Sequence, residues 1–180
     1  ALLEAMEENY VTIDGTRYEL PMPFWVIATQ NQLFQSGTYA LPESQLDRFM
    51  MRLSLGYPSR EAEKLLLQQQ SRQRLIHELP AIFNQKDILQ LQSLVPKVYV
   101  ADAVLNYLLD LAAETRKERH GLSTRGILAL KKAAQAYALI EERSFVTTDD
   151  VQAVFVAVSS HRIGLGEIET RQLMQRVATS

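Results

Sequence analysis

The sequence predicts an α/β segment followed by an all-helical segment, and three observations support that fold class. All six prolines precede residue 97, and proline is the strongest breaker of a helix interior. The first part contains a hairpin signal and a continuous apolar run, whereas apolar residues recur at helical spacing through the second part. We therefore place a domain boundary near Pro58, with an α/β domain over residues 1–58 and a helical domain over residues 59–180.

Composition limits the classes of protein to which the chain can belong. Hydrophobic residues make up 47% and charged residues 22% of the chain, as is typical of globular domains. A net charge of −2 argues against a nucleic-acid partner, and the absence of cysteine excludes disulfides and thiolate metal sites. The three histidines lack metal-ligand spacing, and no apolar run has the length of a membrane span. We expect a soluble, cytoplasmic protein without a metal site.

Residues 1–58 contain signals for two helices, a hairpin and two further strands. Residues 1–8 are good helix formers that lack an N-cap, which indicates the end of a helix. The Asp14-Gly15 pair lies between alternating residues and predicts a hairpin turn. Residues 24–28 form an apolar run typical of a strand buried on both faces of a parallel sheet. Pro42 opens a short helix that ends at about residue 49, and the alternation over residues 51–55 predicts another strand.

Capping signals and apolar stripes define the helices of residues 59–180. Ser59 can cap a helix that runs to about residue 77, and Ser123 can cap a later one. Residues 147–150 match the S/T-x-x-D/E start signal. We interpret the stripes as the core of a helical bundle and assign them no ligand. Their residues are Val104, Leu105, Leu108, Leu111, Ala112, Ile127, Leu130, Ala134, Tyr137, Val151, Val154, Phe155 and Val158.

Three polar side chains are candidates for binding or catalysis. Asn31 follows the predicted buried strand, and ligands of open α/β sheets bind beyond the carboxyl ends of the strands. Arg48 ends the predicted short helix, and its guanidinium group can contact phosphate oxygens with a planar, permanently charged fork. Arg125 lies in the first turn of its helix, where a cation opposes the helix dipole unless an anion lies beside it.

Each candidate also has a purely structural explanation. Asn31 can cap a turn, and Arg125 can be a solvated side chain that is tolerated at small cost. Arg48 can pair with Asp47 or offset the dipole at the end of its helix. The sequence contains no G-x-x-x-x-G-K-[ST] phosphate loop and no Asp-Glu pair at the end of an apolar strand. By itself, the chain therefore lacks the residues that nucleotide hydrolysis requires.

A series of short motifs, taken in order, resembles the MoxR family of AAA+ ATPases. Each motif alone is weak, but the ordered set is specific and covers nearly the whole chain. The motifs are Leu2-Leu-Glu-Ala-Met6, Val11-Thr-Ile-Asp-Gly15, Phe24-Trp-Val-Ile-Ala-Thr-Gln-Asn31, Gly37-Thr-Tyr39, Leu41-Pro-Glu43, Gln45-Leu-Asp-Arg-Phe49, Gly56-Tyr-Pro58, Gly121-Leu-Ser-Thr-Arg125 and Val146-Thr-Thr-Asp-Asp-Val151.

The resemblance implies a fold and a role for each candidate residue. Residues 1–58 would be the C-terminal part of a P-loop NTPase (AAA+) sheet with a β-hairpin insertion, and residues 59–180 would be the helical lid. Asn31 matches sensor 1, which orients the attacking water. Arg48 matches the arginine finger, which reaches the nucleotide of the neighbouring subunit. Arg125 matches sensor 2, which contacts the γ-phosphate in cis from the lid.

The resemblance also implies an activity for the full-length parent. Such a protein would assemble into a ring, expected to be a hexamer, hydrolyse ATP between subunits, and remodel or activate client proteins. ATP and Mg²⁺ would be bound mainly by residues that this chain lacks, so the chain alone is expected to be inactive. The alternative hypothesis is a non-catalytic helical interaction module. A reading frame without an upstream phosphate loop would favour that alternative.

Overall fold

The computed structural model describes residues 2–30, 41–68, 79–118 and 120–178. In these ranges, helices dominate the second part of the chain, and a two-stranded sheet lies near its beginning. A short 3-10 helix over Val95–Lys97 directly follows α4. The elements are α1 (Leu2–Glu8), β1 (Tyr10–Ile13), β2 (Thr16–Glu19), α2 (Glu43–Leu46), α3 (Arg60–Gln68), α4 (Gln85–Leu94), α5 (Asp102–Thr115), α6 (Thr124–Ile140), α7 (Thr148–Ile163) and α8 (Glu167–Met174).

Strands β1 and β2 form the antiparallel hairpin that the sequence predicts. Their register pairs Tyr10 with Glu19. Asp14 and Gly15 form the turn with φ values of 49° and 77°, and a tight hairpin turn of this kind needs positive φ at both central residues. The hydroxyl of Thr12 donates to a carboxylate of α1 at 2.6 Å. The hairpin is thereby tied to the helix that precedes it.

The two further strands predicted in the first part are wrong. Residues 24–28 and 51–55 have no regular secondary structure, and the sheet of the described residues contains only β1 and β2. The apolar run is not buried either, because Trp25 is 60% exposed and Ile27 is 86% exposed. A strand needs a hydrogen-bonded neighbour, and no segment within the described ranges provides one for these residues.

The predicted short helix after Pro42 is present but ends early. Pro42 precedes α2, the helix ends at Leu46, and Arg48 therefore lies in the turn that follows. Helix α3 begins directly after Ser59, whose hydroxyl accepts a backbone amide of the first turn at 3.2 Å. The predicted continuation of that helix over residues 69–77 lies outside the described residues.

Helices α5 to α8 pack around one apolar core, as the stripes predict. Helix α7 contacts α5, α6 and α8, and Leu130 and Phe155 are completely buried between the helices. Ser123 caps α6, accepting a backbone amide at 3.0 Å. Thr147 and Asp150 form the predicted capping box at the start of α7. The local start signals were therefore sufficient to locate α6 and α7.

The first part of the chain packs against α7, so contacts join the two predicted domains. The domain boundary near Pro58 stays a prediction. The amide of Arg52 donates to the carbonyl of Ala157 at 2.8 Å, and residues 47–50 contact the end of the same helix. None of the helices in the described ranges combines the length and apolar character that crossing a bilayer requires.

Candidate functional site

Arg48 and Arg125 converge on one carboxylate, that of Glu7 in α1. Arg48 places Nε 3.2 Å from Glu7 Oε1, and its Nη2 donates to Oε2 at 3.3 Å. Arg125 binds the same Oε1 through its Nη2. Two like charges this close repel one another, and the carboxylate between them offsets that repulsion by attracting both. The two guanidinium groups can therefore hold one anionic group together, although they come from distant parts of the sequence.

The structural explanation for Arg48 is present beside this contact. Its Nη1 donates to the carbonyl of Ser44 in α2, which offsets the dipole at the end of that helix. Its carboxylate partner is Glu7 and not the adjacent Asp47. Nε of Arg48 is buried, and although it lies close to Glu7 it is not aligned for a hydrogen bond with that carboxylate. In the described ranges, this donor of Arg48 therefore has no well-aligned acceptor.

Asp47 connects the two segments that carry the arginines. Its carboxylate accepts the hydroxyl of Ser123, the N-cap residue of α6, at 3.0 and 3.2 Å. The same group accepts Nε of Arg162 at 3.0 Å and lies 3.8 Å from Nη1 of Arg125. Asp47 directly precedes Arg48 in the chain. The turn that carries Arg48 is thereby bound to the start of the helix that carries Arg125.

Arg162, in the last turn of α7, is buried and uses all of its donors. Its Nε binds Asp47, and its Nη1 donates to the carbonyls of Met50, at 3.0 Å, and Val158. Its Nη2 donates to the carbonyls of Phe49, at 2.7 Å, and Asp47, at 3.2 Å. A guanidinium group has five N–H donors, so these contacts satisfy every one. Burial lowers the pKa of Arg162, the carboxylate of Asp47 opposes that shift, and the group stays charged at neutral pH.

His161 adds a contact to the same segment. Its Nε2 lies 3.0 Å from the carbonyl oxygen of Phe49. Burial, opposed by the carbonyl of Phe49 and helped by the positive charge of Arg162, lowers the pKa of His161 to about 4. The ring is therefore neutral near pH 7, and Nε2–H donates to this carbonyl. That tautomer leaves Nδ1 as a buried acceptor without a partner among the described residues.

The third predicted candidate, Asn31, lies outside the described residues, so its place beside the arginines stays a prediction. Sequence reasoning missed Glu7 and Arg162. A signal for Arg162 existed, because it lies four residues after Val158 on the buried stripe of α7, where a charge needs a partner. Glu7 lies in a short helix without a distinctive pattern. The described ranges contain no cluster of three or more acidic or histidine side chains that could hold a metal ion.

A groove of about 730 Å³ separates α1 and residues 22–27 from helices α4 and α6. Its walls are largely apolar, and the cationic side chains of Arg48 and Lys132 line it as well. A cleft therefore exists between the first part of the chain and the helical bundle, with Arg48 at its surface.

Two family models match the chain. A model of the ATPase family associated with various cellular activities (AAA) matches residues 1–51, and a model of the AAA lid domain matches residues 112–178. The chain is 34% identical over 177 residues to the chaperone MoxR1 of Mycobacterium tuberculosis, and 43% identical over 168 residues to the uncharacterized protein YeaC of Bacillus subtilis. It belongs to the MoxR family of AAA+ ATPases.

A solved structure supports the same fold for this MoxR-family chain. The crystal structure of a candidate ATPase from Cytophaga hutchinsonii superposes with a TM-score of 0.85 at 30% identity, over 98% of this chain and 60% of that one. The chain spans about half the length of the curated relatives. The matched region is 92% of this chain and 52% of YeaC, and 92% of this chain and 46% of MoxR1. The predicted combination of an AAA+ core portion with a helical lid is confirmed.

Proposed function

We propose that this chain is the finger-and-lid portion of a MoxR-type ATPase. The complete protein hydrolyses ATP at the subunit interfaces of a ring, expected to be a hexamer, and remodels client proteins in the cytoplasm. Its phosphate loop and the ligands of Mg²⁺ come from residues outside these 180, so the chain is inactive by itself. The observation that carries the proposal is the shared contact of Arg48 and Arg125 with Glu7. Asn31 keeps its proposed role as the residue that orients the attacking water.

The surroundings of Glu7 suit a phosphate group. A carboxylate oxygen is held there between two guanidinium groups, and arginine binds phosphate oxygens with the same planar geometry. The side chain of Arg125 is 50% exposed, so an anion from a neighbouring subunit can reach it. The buried Nε of Arg48 has no hydrogen-bond acceptor among the described residues.

The proximity of the two arginines supports a common target. Because Arg48 and Arg125 share one oxygen of Glu7, they can contact the same phosphate group. The family resemblance assigns Arg48 to the nucleotide of the neighbouring subunit. We therefore propose that Arg125 serves that same nucleotide in trans, in place of the cis contact that the resemblance alone implies.

The contribution of this chain to catalysis is positive charge held in a fixed place. Bound ATP supplies the phosphoryl group as substrate, and Mg²⁺ neutralises part of its charge. In phosphoryl transfer, negative charge spreads over the transferred oxygens, and a positioned arginine stabilises it. Contacts from Asp47 and Arg162 hold the two arginine-bearing segments, so little reorganisation is needed at the moment of reaction.

The substitution Arg48→Ala in the full-length ATPase tests the finger assignment. We expect kcat to fall by about 10³-fold or more, as for arginine fingers in general, with ATP binding largely kept. Phosphate release and titration with a fluorescent ATP analogue measure the two quantities. Arg171→Ala, which removes an exposed arginine of α8, is the matched control and should leave both unchanged. A wild-type kcat for Arg48→Ala would exclude the proposed role of Arg48.

Mixing of mutant subunits tests whether Arg125 acts in trans. Arg125→Ala should weaken nucleotide binding and turnover when every subunit carries it. Subunits with Arg125→Ala but an intact phosphate loop are then mixed with subunits that lack the phosphate-loop lysine. If Arg125 acts in trans, some interfaces in the mixed ring pair the intact phosphate loop of an Arg125→Ala subunit with the intact Arg125 of its neighbour. ATPase activity then returns at those interfaces. If the Arg48→Ala mixture recovers activity and the Arg125→Ala mixture does not, Arg125 acts in cis.

A further inference from the structure

Arg162 holds the backbone on both sides of Arg48. Its guanidinium group binds the carbonyls of Asp47 and Phe49, the residues before and after Arg48, and that of Met50 as well. The side chain is only 3% exposed, so these bonds are shielded from water. Because the donors of a guanidinium group lie in one plane at fixed angles, binding several carbonyls at once restricts both the position and the orientation of those peptide groups.

The same side chain touches the helix that carries Arg125. Its stem passes over Gly126, the residue next to Arg125. A Cβ added at Gly126 would lie 3.2 Å from Arg162 Cδ and 3.0 Å from Leu122 Cδ2. The absence of a side chain at this position therefore lets α6 and Arg162 approach closely. Arg162 lies between the two arginine-bearing segments and contacts both.

We propose that Arg162 is a positioning residue that fixes Arg48 relative to Arg125. This inference rests on the proposed function, in which the two arginines act on one nucleotide. Arg162 has no surface left to contact a nucleotide, because all five of its donors are used inside the chain. It therefore acts only through the placement of the other two arginines.

Only arginine can make this set of contacts. Lysine carries three donors on a single nitrogen, so it keeps the buried charge beside Asp47 but cannot reach all of the carbonyls in the plane. Arg162→Lys therefore preserves the charge and loosens the turn around Arg48. A displacement of about 1 Å in a catalytic group can lower the rate by about 10²-fold.

The test uses the full-length ATPase with Arg162→Lys. We expect kcat to fall by about 10- to 100-fold while the KM for ATP changes little, because the lost stabilisation is that of the transition state. Arg143→Lys is the matched control. Arg143 is another arginine of the helical part, and it binds the carboxylate of Asp150 at 2.6 Å, on a different part of α7. The kcat of the Arg143→Lys protein should stay at the wild-type value.

A double-mutant cycle separates positioning from general stabilisation. If Arg162 acts through Arg48, then Arg162→Lys should lower the residual turnover of an Arg48→Ala protein by less than about threefold. Additive losses would overturn the inference and indicate a role in lid stability alone. If the Arg162→Lys protein keeps its wild-type kcat while the Arg48→Ala protein is inactive, the inference is overturned but the proposed function is left intact. A fully active Arg48→Ala protein would instead overturn the proposed function.

Gly126→Ala provides a second route if Arg162→Lys does not fold. Alanine is a better helix former than glycine, so α6 still forms, while the added methyl group displaces the stem of Arg162. We expect circular dichroism to report a folded protein with kcat reduced severalfold. A folded Gly126→Ala protein with wild-type kcat would contradict the inference.

Discussion

Asp47 is the residue on which both arginine-bearing segments depend. Its carboxylate is the counter-charge of the buried Arg162 and also accepts the hydroxyl of the N-cap Ser123. Removing one partner of a buried ion pair leaves the other charge uncompensated, which costs about 3–5 kcal/mol. Asp47 therefore helps to position Arg48 indirectly, because it neutralises the Arg162 guanidinium group that binds the backbone on both sides of Arg48.

His161 makes the stability of the chain depend on pH. Its folded pKa of about 4 lies below the ordinary value of 6.5, because burial disfavours the charged ring. Between these values the unfolded chain binds a proton that the folded chain does not, so the free energy of unfolding rises with pH. The contribution is complete above about pH 6.5 and is lost as pH falls towards 4. We expect it to be on the order of 2 kcal/mol.

Urea denaturation of the chain between pH 4 and pH 7 measures this effect. His161→Gln is the control, because a neutral amide can still donate to the carbonyl of Phe49 but does not titrate in this range. The difference in unfolding free energy between wild type and variant should change with pH. Parallel pH profiles for the two proteins would contradict the assignment.

At the scale of elements, local signals predicted the hairpin and the starts of α6 and α7, but they failed for the two further strands. The starts of α6 and α7 depend on side chains that bond to backbone within three residues, so their sequence patterns are sufficient. The apolar run over residues 24–28 needs neighbouring strands to become a strand, and its own residues cannot supply them. Arg48 and Arg125 were found from local patterns, but their shared contact with Glu7 depends on tertiary packing.

The capping box of α7 should be one of the most sensitive elements of the fold. Burial raises the pKa of Asp150, but hydrogen bonds from Arg143 and Thr147 bring it below the ordinary value. Asp150→Ala removes both the cap and the partner of Arg143, and we expect a loss of about 3 kcal/mol in unfolding free energy. Asp149→Ala, at the exposed neighbouring position, should cost less than about 0.5 kcal/mol. Equal midpoints of denaturation for the two variants would contradict this prediction.

At the scale of the molecule, the described part of the chain exposes apolar residues that a complete sheet would cover. Trp25 and Ile27 lie on one extended segment, and Leu53 and Leu55, 74% and 97% exposed, lie on another. Their sequence pattern indicated burial, yet burial depends on neighbouring strands as much as on composition. Relatives about twice as long contain further residues that could cover these segments.

The 180-residue chain by itself should therefore self-associate through these two segments. Fully burying an isoleucine contributes about 1.5–3 kcal/mol, so Ile27→Asp should weaken association by about tenfold or more. Ile168→Asp, which changes a similarly exposed isoleucine of α8, is the matched control. Sedimentation measures the association, and Trp25, the single tryptophan, reports on burial through its emission. A chain that stays monomeric as its concentration rises, with unchanged emission, would show that these apolar segments do not bind one another.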